Sequence, residues 1–433
     1  MEKFVIEGGS PLSGEIVASG NKNAALPILA ACLLTEEEVT IHNVPRIRDT
    51  EAQLTLLERL GVAVEWIADN SVQLRADAVA STEVDEETAN QIRASFLLAG
   101  PLLARFGEAR MPPPGGDLIG RRRLDPHLDA FRDLGARVDA DRWIKLSAPP
   151  GGLKPSRIFM DEPSVMGTEN ALLAAALTPG PTTIQNAACE PHVQDLARLL
   201  TKMGAEVDGI GGNVMTVHGC DRLSGAEHTI GADHIEVASF MALAAATGGE
   251  LRIRDVEPED LIGIRRQFGR LGLESIVEDR DILVPPEQKL RVRDDLGDVI
   301  PKIDDGPWPA FPADLTSIAL ALATQAEGTI LIFEKMFENR LFFVDKLVVM
   351  GARITLCDPH RAIVDGPSRL HGARVESPDI RAGMAMLIAA LAAEGVSEIG
   401  NVRQIDRGYE RIDVRLRDLG AKIERVSAER APA

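Results

Sequence analysis

Leu57-Glu58-Arg59-Leu60-Gly61-Val62-Ala63-Val64 runs from an apolar helix end, through a glycine, into the start of an apolar strand. The same phrase returns as Phe131-Arg132-Asp133-Leu134-Gly135-Ala136-Arg137-Val138 and as Leu416-Arg417-Asp418-Leu419-Gly420-Ala421-Lys422-Ile423. Three more copies centre on Gly204, Gly272 and Gly351, the one at Gly272 being the weakest. The six glycines are spaced 74, 69, 68, 79 and 69 residues apart. A helix commonly ends on a residue with positive φ, which glycine adopts without strain. Six copies near a common period therefore predict six helix-plus-strand units, too long for a solenoid of single helix pairs. The fold class is α/β.

A chain of 433 residues has room for two or three domains, so six units divide naturally into two domains of three. Aromatic residues make up only 4% of the chain, which requires a mainly aliphatic core. The formal net charge of −19 argues against nucleic acid or an anionic membrane surface as partner. An anionic small substrate would need a local basic cluster. Cys32, Cys189, Cys220 and Cys357 form no metal-binding or paired pattern, the histidines show no ligand spacing, and no apolar run is long enough for a bilayer. A cytoplasmic enzyme without a metal or cofactor is expected. The first eight residues lack the pattern of a secretory signal.

Along the chain, residues 2–20 read as two short strands around a turn at Gly8-Gly9-Ser10-Pro11. Helices are expected over 22–34, 49–60, 163–177 and 190–203, then near 233–246, 258–270, 314–326, 338–350, 378–394 and 408–419, with strands such as 38–44, 182–184, 251–253 and 329–332 between them. A boundary falls near Gly231-Ala232-Asp233. The expected division is a discontinuous domain of 1–20 plus 232–433 and an inserted domain of 21–231 that carries a loop at 112–123. The tail after Val426 is polar and expected to fray.

Four groups of charged residues stand out. Lys22 sits at a helix start in Ser19-Gly20-Asn21-Lys22-Asn23, unfavourable against the helix dipole unless an anion lies there. Gly115-Gly116-Asp117 followed by Arg121-Arg122-Arg123 reads as a mobile, anion-gripping loop. Asp314 follows two prolines; alone it would be a helix cap. Arg340, Arg381 and Arg407, with Arg93 in the first half, each lie near a helix start, and arginine suits a two-pronged grip on phosphate or carboxylate.

Taken together, the blocks Ser19-Gly20-Asn21-Lys22-Asn23-Ala24-Ala25-Leu26-Pro27, Asn186-Ala187-Ala188-Cys189-Glu190-Pro191, Phe337-Glu338-Asn339-Arg340 and Ile405-Asp406-Arg407-Gly408-Tyr409-Glu410-Arg411 closely resemble the enolpyruvyl transferases, over essentially the whole chain. Within them, the resemblance is to the branch whose acceptor is UDP-N-acetylglucosamine. It implies two inside-out α/β domains, each of three repeated helix-strand units, with an active site in the cleft between them. It implies transfer of the enolpyruvyl group of phosphoenolpyruvate to the acceptor 3′-hydroxyl, with loss of phosphate, through a tetrahedral intermediate and without a metal. By motif, Lys22, Arg122 and Arg407 would grip the phosphate, Arg340 and Arg381 the carboxylate, and Asn23 the substrate near the reacting hydroxyl. Asp314 would be the base. Arg93, Asp49 and Asp379 would lie close by, and Leu124, Asp125, His127, Ser164 and Val165 would contact substrate.

The chain departs from the common pattern at several points. Most relatives carry cysteine where Asp117 stands; a minority carry aspartate and resist fosfomycin, which alkylates the thiol. A carboxylic acid with a raised pKa can replace a thiol as proton donor, so Asp117 is expected to be the general acid. Arg123, Pro126, Glu162 and Gln404 replace residues more usual on the nucleotide side, the 301–311 element is longer than usual, and Arg123 could supply the charge lost at Glu162. Other readings are a different nucleotide acceptor, shikimate 3-phosphate, or a non-catalytic paralogue that binds a UDP-sugar. Retention of Lys22, Asn23, Asp314, Arg340, Arg381 and Arg407 argues against the last.

Overall fold

A computed structural model describes residues 2–427. The fraying expected after Val426 does not include Ser427, which ends strand Lys422–Ser427, and the rest of that tail lies outside the described residues. All six repeat glycines have positive φ, from 83° at Gly272 to 114° at Gly204. Each follows a helical segment and precedes a strand, as with the helix Arg48–Leu60, Gly61 and the strand Ala63–Ala68. At Gly61 an added Cβ would also lie 2.5 Å from the carbonyl oxygen of Ala78, so both the turn and the packing select glycine.

Among the described residues, six small sheets accompany the six helix ends, and five share one plan. In the first, strand Ala226–Thr229 pairs parallel with Val39–His42, which pairs antiparallel with Ser71–Arg75, which pairs antiparallel with Ala63–Ala68. The sixth has only three strands, Glu108–Met111, Ile144–Ser147 and Arg137–Ala140. Its fourth position is reduced to a single parallel bridge between Glu83 and Arg110.

The chain divides into two compact units, one of Met1–Ser19, Leu118–Arg121 and Ala232–Ala433, the other of Gly20–Asp117 and Arg122–Gly231. In the first, strand Glu2–Glu7 lies between Val396–Gly400 and Lys422–Ser427, and strand Gly14–Val17 completes the sheet begun by Leu251–Arg254. Segment 118–121 belongs with this unit because Asn339 N–H donates to the Ile119 carbonyl (2.9 Å) and Arg121 N–H to Glu338 Oε2 (3.0 Å).

At the centre of the first unit, helices His234–Thr247, Thr316–Ala323 and Ile380–Ala392 pack on one another. Their side chains are buried nearly all round, Met384 and Met386 completely. A helix apolar on every face has to be interior, so these are central and the sheets lie outside them. In the second unit Lys22–Ala31 and Val165–Ala176 are likewise buried nearly all round, and both pack on the 3-10 helix Arg93–Leu98. No helix among the described residues is long and apolar enough to cross a membrane.

Several expected helices are broken: 258–270 splits into the 3-10 turn Pro258–Leu261, helix Ile262–Phe268 and the 3-10 turn Gly269–Leu271, and 314–326 starts on the 3-10 turn Ala313–Leu315 before helix Thr316–Ala323. Residues 338–350 form the 3-10 turn Arg340–Phe343 and then helix Val344–Val349. Residues 408–419 become helical only at Ile412, because Arg411 takes a left-handed conformation (φ 42°), and a separate 3-10 helix, Val402–Arg407, precedes it. Arg407 therefore ends a 3-10 helix and does not begin an α-helix.

Candidate active-site residues

In the second unit, Asn21 caps helix Lys22–Ala31 by accepting from the N–H groups of Asn23 and Ala24. The cap leaves Lys22 in the first turn, where its charge opposes the helix dipole. Asp49, in the first turn of Arg48–Leu60, compensates from 3.2 Å, and both side chains are buried. Lys22 and Asp49 thus form a buried pair, and Asn23 follows Lys22 in the same first turn.

Arg93 begins the 3-10 helix Arg93–Leu98, and its Nη2 donates to the carbonyl oxygens of Arg122 and Arg123. Expected as a substrate contact, it is engaged with the backbone of the arginine loop. Burial, with the charge of Arg122, lowers its pKa to about 10. His127 is buried at the start of Asp125–Asp133, its ring perpendicular to that of Phe96 with centroids 5.1 Å apart. The Asn170 amide fixes its tautomer. Asn170 Oδ1 accepts from Gly100 N–H, so Nδ2 is the donor that serves the Phe96 carbonyl and His127 Nδ1. Burial, reinforced by Arg93 and Arg122, pushes His127 down to about 3, so it is neutral at pH 7.

Asp117 is half-buried at the end of a segment whose Gly115 N–H donates to the Ala89 carbonyl. Only glycine fits at 115, because a Cβ would meet the Asn90 carbonyl oxygen. Leu124 precedes the helix that Asp125 begins. Ser164 caps Val165–Ala176 by accepting from Gly167 N–H, so Val165 opens the first turn. Arg123 is surrounded by acid: Asp161 at 2.8 Å, Asp125 at 3.3 Å and Glu162 at 3.8 Å. It does lie beside Glu162, but its charge is already matched there.

In the first unit, Asp314 stands on the 3-10 turn Ala313–Leu315. Its Oδ1 accepts from Arg340 Nη2 at 2.9 Å and its Oδ2 from Arg381 Nε at 3.0 Å, with Arg381 Nη2 also at 3.0 Å. Both guanidinium groups are buried. Asp379 caps helix Ile380–Ala392 by accepting from the N–H groups of Arg381 and Ala382, which sets where the Arg381 side chain starts. Arg407 Nη1 donates to Gln404 Oε1 at 2.9 Å. The 3-10 helix carrying both is anchored by Asp406, which binds Arg425 through both carboxylate oxygens (2.7 and 2.9 Å).

Sequence reasoning missed three buried partners of these arginines. Glu334, fully buried, lies 3.7 Å from Arg340 Nε, and its Oε1 accepts from Phe337 N–H. Burial, helped by Asp305 and opposed by Arg340, pushes it up to about 8. Asp233 caps helix His234–Thr247 and raises the Arg381 pKa by its charge. Tyr409 receives a hydrogen bond from Arg381 Nη1 at 3.2 Å. The available signal was a polar residue in an apolar setting, such as Glu334 directly after strand Gly328–Phe333.

The profile of the EPSP synthase (3-phosphoshikimate 1-carboxyvinyltransferase) family matches residues 6–416. The chain belongs to this enolpyruvyl transferase family. Among its relatives in the family, the UDP-N-acetylglucosamine 1-carboxyvinyltransferase of Bradyrhizobium diazoefficiens is 57% identical over 98% of both chains. That of Treponema denticola is 54% identical over 98% of this chain and 99% of its own. Among solved structures, the enolpyruvyl transferase NikO from Streptomyces tendae superposes with a TM-score of 0.87 at 26% identity, covering 99% of each chain. An EPSP synthase from Acinetobacter baumannii shares the fold, with a TM-score of 0.76 at 20% identity over 99% of this chain and 100% of its own.

Proposed function

We propose that the protein transfers the enolpyruvyl group of phosphoenolpyruvate to the 3′-hydroxyl of UDP-N-acetylglucosamine, releasing phosphate, in the first committed step of peptidoglycan synthesis. One observation carries the chemistry: a carboxylate, Asp314, bonded to two buried guanidinium groups, Arg340 and Arg381. Such a group is an anion able to take a proton from an alcohol, and it sits beside two cations suited to a substrate carboxylate. The choice of acceptor is supported by full-length identity to proteins named for it.

In this reading Asp314 accepts the 3′-hydroxyl proton as the oxygen attacks C2 of phosphoenolpyruvate. Asp117 delivers a proton to C3, giving the methyl group of a tetrahedral intermediate. Loss of a C3 proton then expels phosphate and restores the double bond. Lys22, Arg122 and Arg407 stabilise the charge that grows on the leaving phosphate. Asp49 holds Lys22 in place. Asn23, Leu124, Asp125, Ser164 and the first turn of Val165–Ala176 serve the acceptor, the helix start being suited to its diphosphate. His127 and Arg93 support that side from within the unit, and Asp379 supports Arg381.

The test is phosphate release from phosphoenolpyruvate with UDP-N-acetylglucosamine as acceptor. Release that collapses in Asp314→Asn and Asp117→Asn supports the assignment. No release in the wild type defeats it and directs a screen toward other nucleotide acceptors, the reading that the acidic surroundings of Arg123 would favour.

A further inference from the structure

Tyr409 is the only tyrosine in the chain and lies within Ile405-Asp406-Arg407-Gly408-Tyr409-Glu410, yet nothing in the reaction above uses it. It is 1% exposed, and its hydroxyl has two partners, Arg381 Nη1 at 3.2 Å and Ser239 Oγ at 3.1 Å. Ser239 Oγ in turn lies 2.7 Å from the Ile235 carbonyl oxygen within helix His234–Thr247. The proton inventory gives this chain one direction. A guanidinium only donates, a carbonyl only accepts, and each hydroxyl has a single proton. Arg381 therefore donates to Tyr409, Tyr409 donates to Ser239, and Ser239 donates to Ile235.

We propose that Tyr409 and Ser239 are positioning residues that hold the Arg381 guanidinium in the plane in which it meets substrate. Arg381 has its Nε and Nη2 turned to Asp314 and its Nη1 to Tyr409, so the two partners fix the plane from different edges. Without the phenol, that plane has one anchor fewer, and a buried donor is left unpaired. Burial raises the phenol pKa, which keeps Tyr409 protonated and donating to Ser239 at working pH. The inference rests on the proposed role of Arg381 as a grip on the phosphoenolpyruvate carboxylate.

Tyr409→Phe keeps the ring and removes only the hydroxyl. Its KM for phosphoenolpyruvate should rise roughly ten- to a hundredfold, the cost of a lost hydrogen bond to a charged group. The KM for UDP-N-acetylglucosamine should stay within about twofold, because the change is confined to one grip on one substrate. Ser239→Ala should move the same constant less, and the double variant should be no worse than Tyr409→Phe, since the two lie on one chain of bonds. Equal shifts in both KM values, or an unchanged phosphoenolpyruvate KM in a folded variant, would overturn the proposal. If Tyr409→Phe does not fold, Ser239→Ala decides by the same split.

A second readout is independent of turnover. With a single tyrosine, protein carrying tyrosine labelled only at Cζ, the carbon that bears the hydroxyl, gives one NMR signal, which should shift in Arg381→Lys. A signal that does not move would break the Arg381–Tyr409 link whatever the substrate is. A wild type that releases no phosphate while this signal does shift would instead fault the proposed reaction.

Discussion

Asp314 meets Arg381 edge-on: one carboxylate oxygen, Oδ2, lies 3.0 Å from both Nε and Nη2 of the guanidinium. The other oxygen is bound to Arg340. A substrate carboxylate that takes up the same arginines must share them with Asp314. Binding of such a substrate would then be coupled to the state of the Asp314 carboxylate through two cations.

Asp314→Asn should lower kcat by roughly a hundred- to ten-thousandfold, the usual worth of a positioned general base. Removing the anion also leaves two buried arginines less well paired, so the melting temperature should fall as well. Steady-state phosphate release and a thermal melt on one preparation separate the two effects.

Asp117 bears on inhibition. Fosfomycin acts on a thiol, and a carboxylate at this position offers none, so prolonged incubation should leave activity unchanged. Asp117→Cys should become inactivated with time. A covalent adduct on the wild type, seen by mass spectrometry, would contradict this.

His127 should make the second unit sensitive to acid. Its pKa in the fold, about 3, lies below that of an unfolded histidine. Unfolding therefore takes up a proton once the pH drops below about 6.5, and stability falls from there as pH falls. Between pH 7 and 5 this one group should cost about 2 kcal/mol. In His127→Gln that part of the pH dependence should vanish, as measured by urea unfolding at the two pH values.

Arg123→Ala should change the KM for UDP-N-acetylglucosamine by less than about threefold. Its charge is matched by Asp161, Asp125 and Glu162, and exposed pairs of this kind contribute little. A tenfold loss of nucleotide affinity would instead restore the idea that Arg123 makes up for Glu162.

Two repeat glycines of the second unit separate strain from crowding. Gly204 has φ of 114° and open space around its missing Cβ, so Gly204→Ala should cost about 1–2 kcal/mol from the backbone alone. Gly61→Ala adds contact with the Ala78 carbonyl oxygen and should cost clearly more. Equal shifts in thermal unfolding would contradict the distinction.

The repeat was legible because positive φ leaves a mark on the sequence, and all six glycines carry it. The breaks before Ile412 and within 338–350 were not. Nothing local in Arg411 demands a left-handed backbone, and the surrounding fold imposes it. Lys22, Asp314, Arg340 and Arg381 stood out as charges among small residues. That Asp314 would bind both arginines did not, since 26 and 67 residues separate the partners. Glu334 and Ser239 sit in apolar stretches, where sequence alone suggests packing, and Tyr409 lies in a charged block whose arginine draws the eye first. The bond from Arg93 to the carbonyl of Arg122 was not legible either, since spacing alone does not show which loop folds over a helix start.

Strand Glu2–Glu7 waits in the middle of a sheet for neighbours that come from Val396–Gly400 and Lys422–Ser427. During synthesis this strand therefore has no strand partners until residue 396 and beyond have been made, while residues 20–117 and 122–231 can already pack their own core as they leave the ribosome. A ribosome stalled near residue 390 should carry a protease-resistant second unit and a first unit that is still open to digestion.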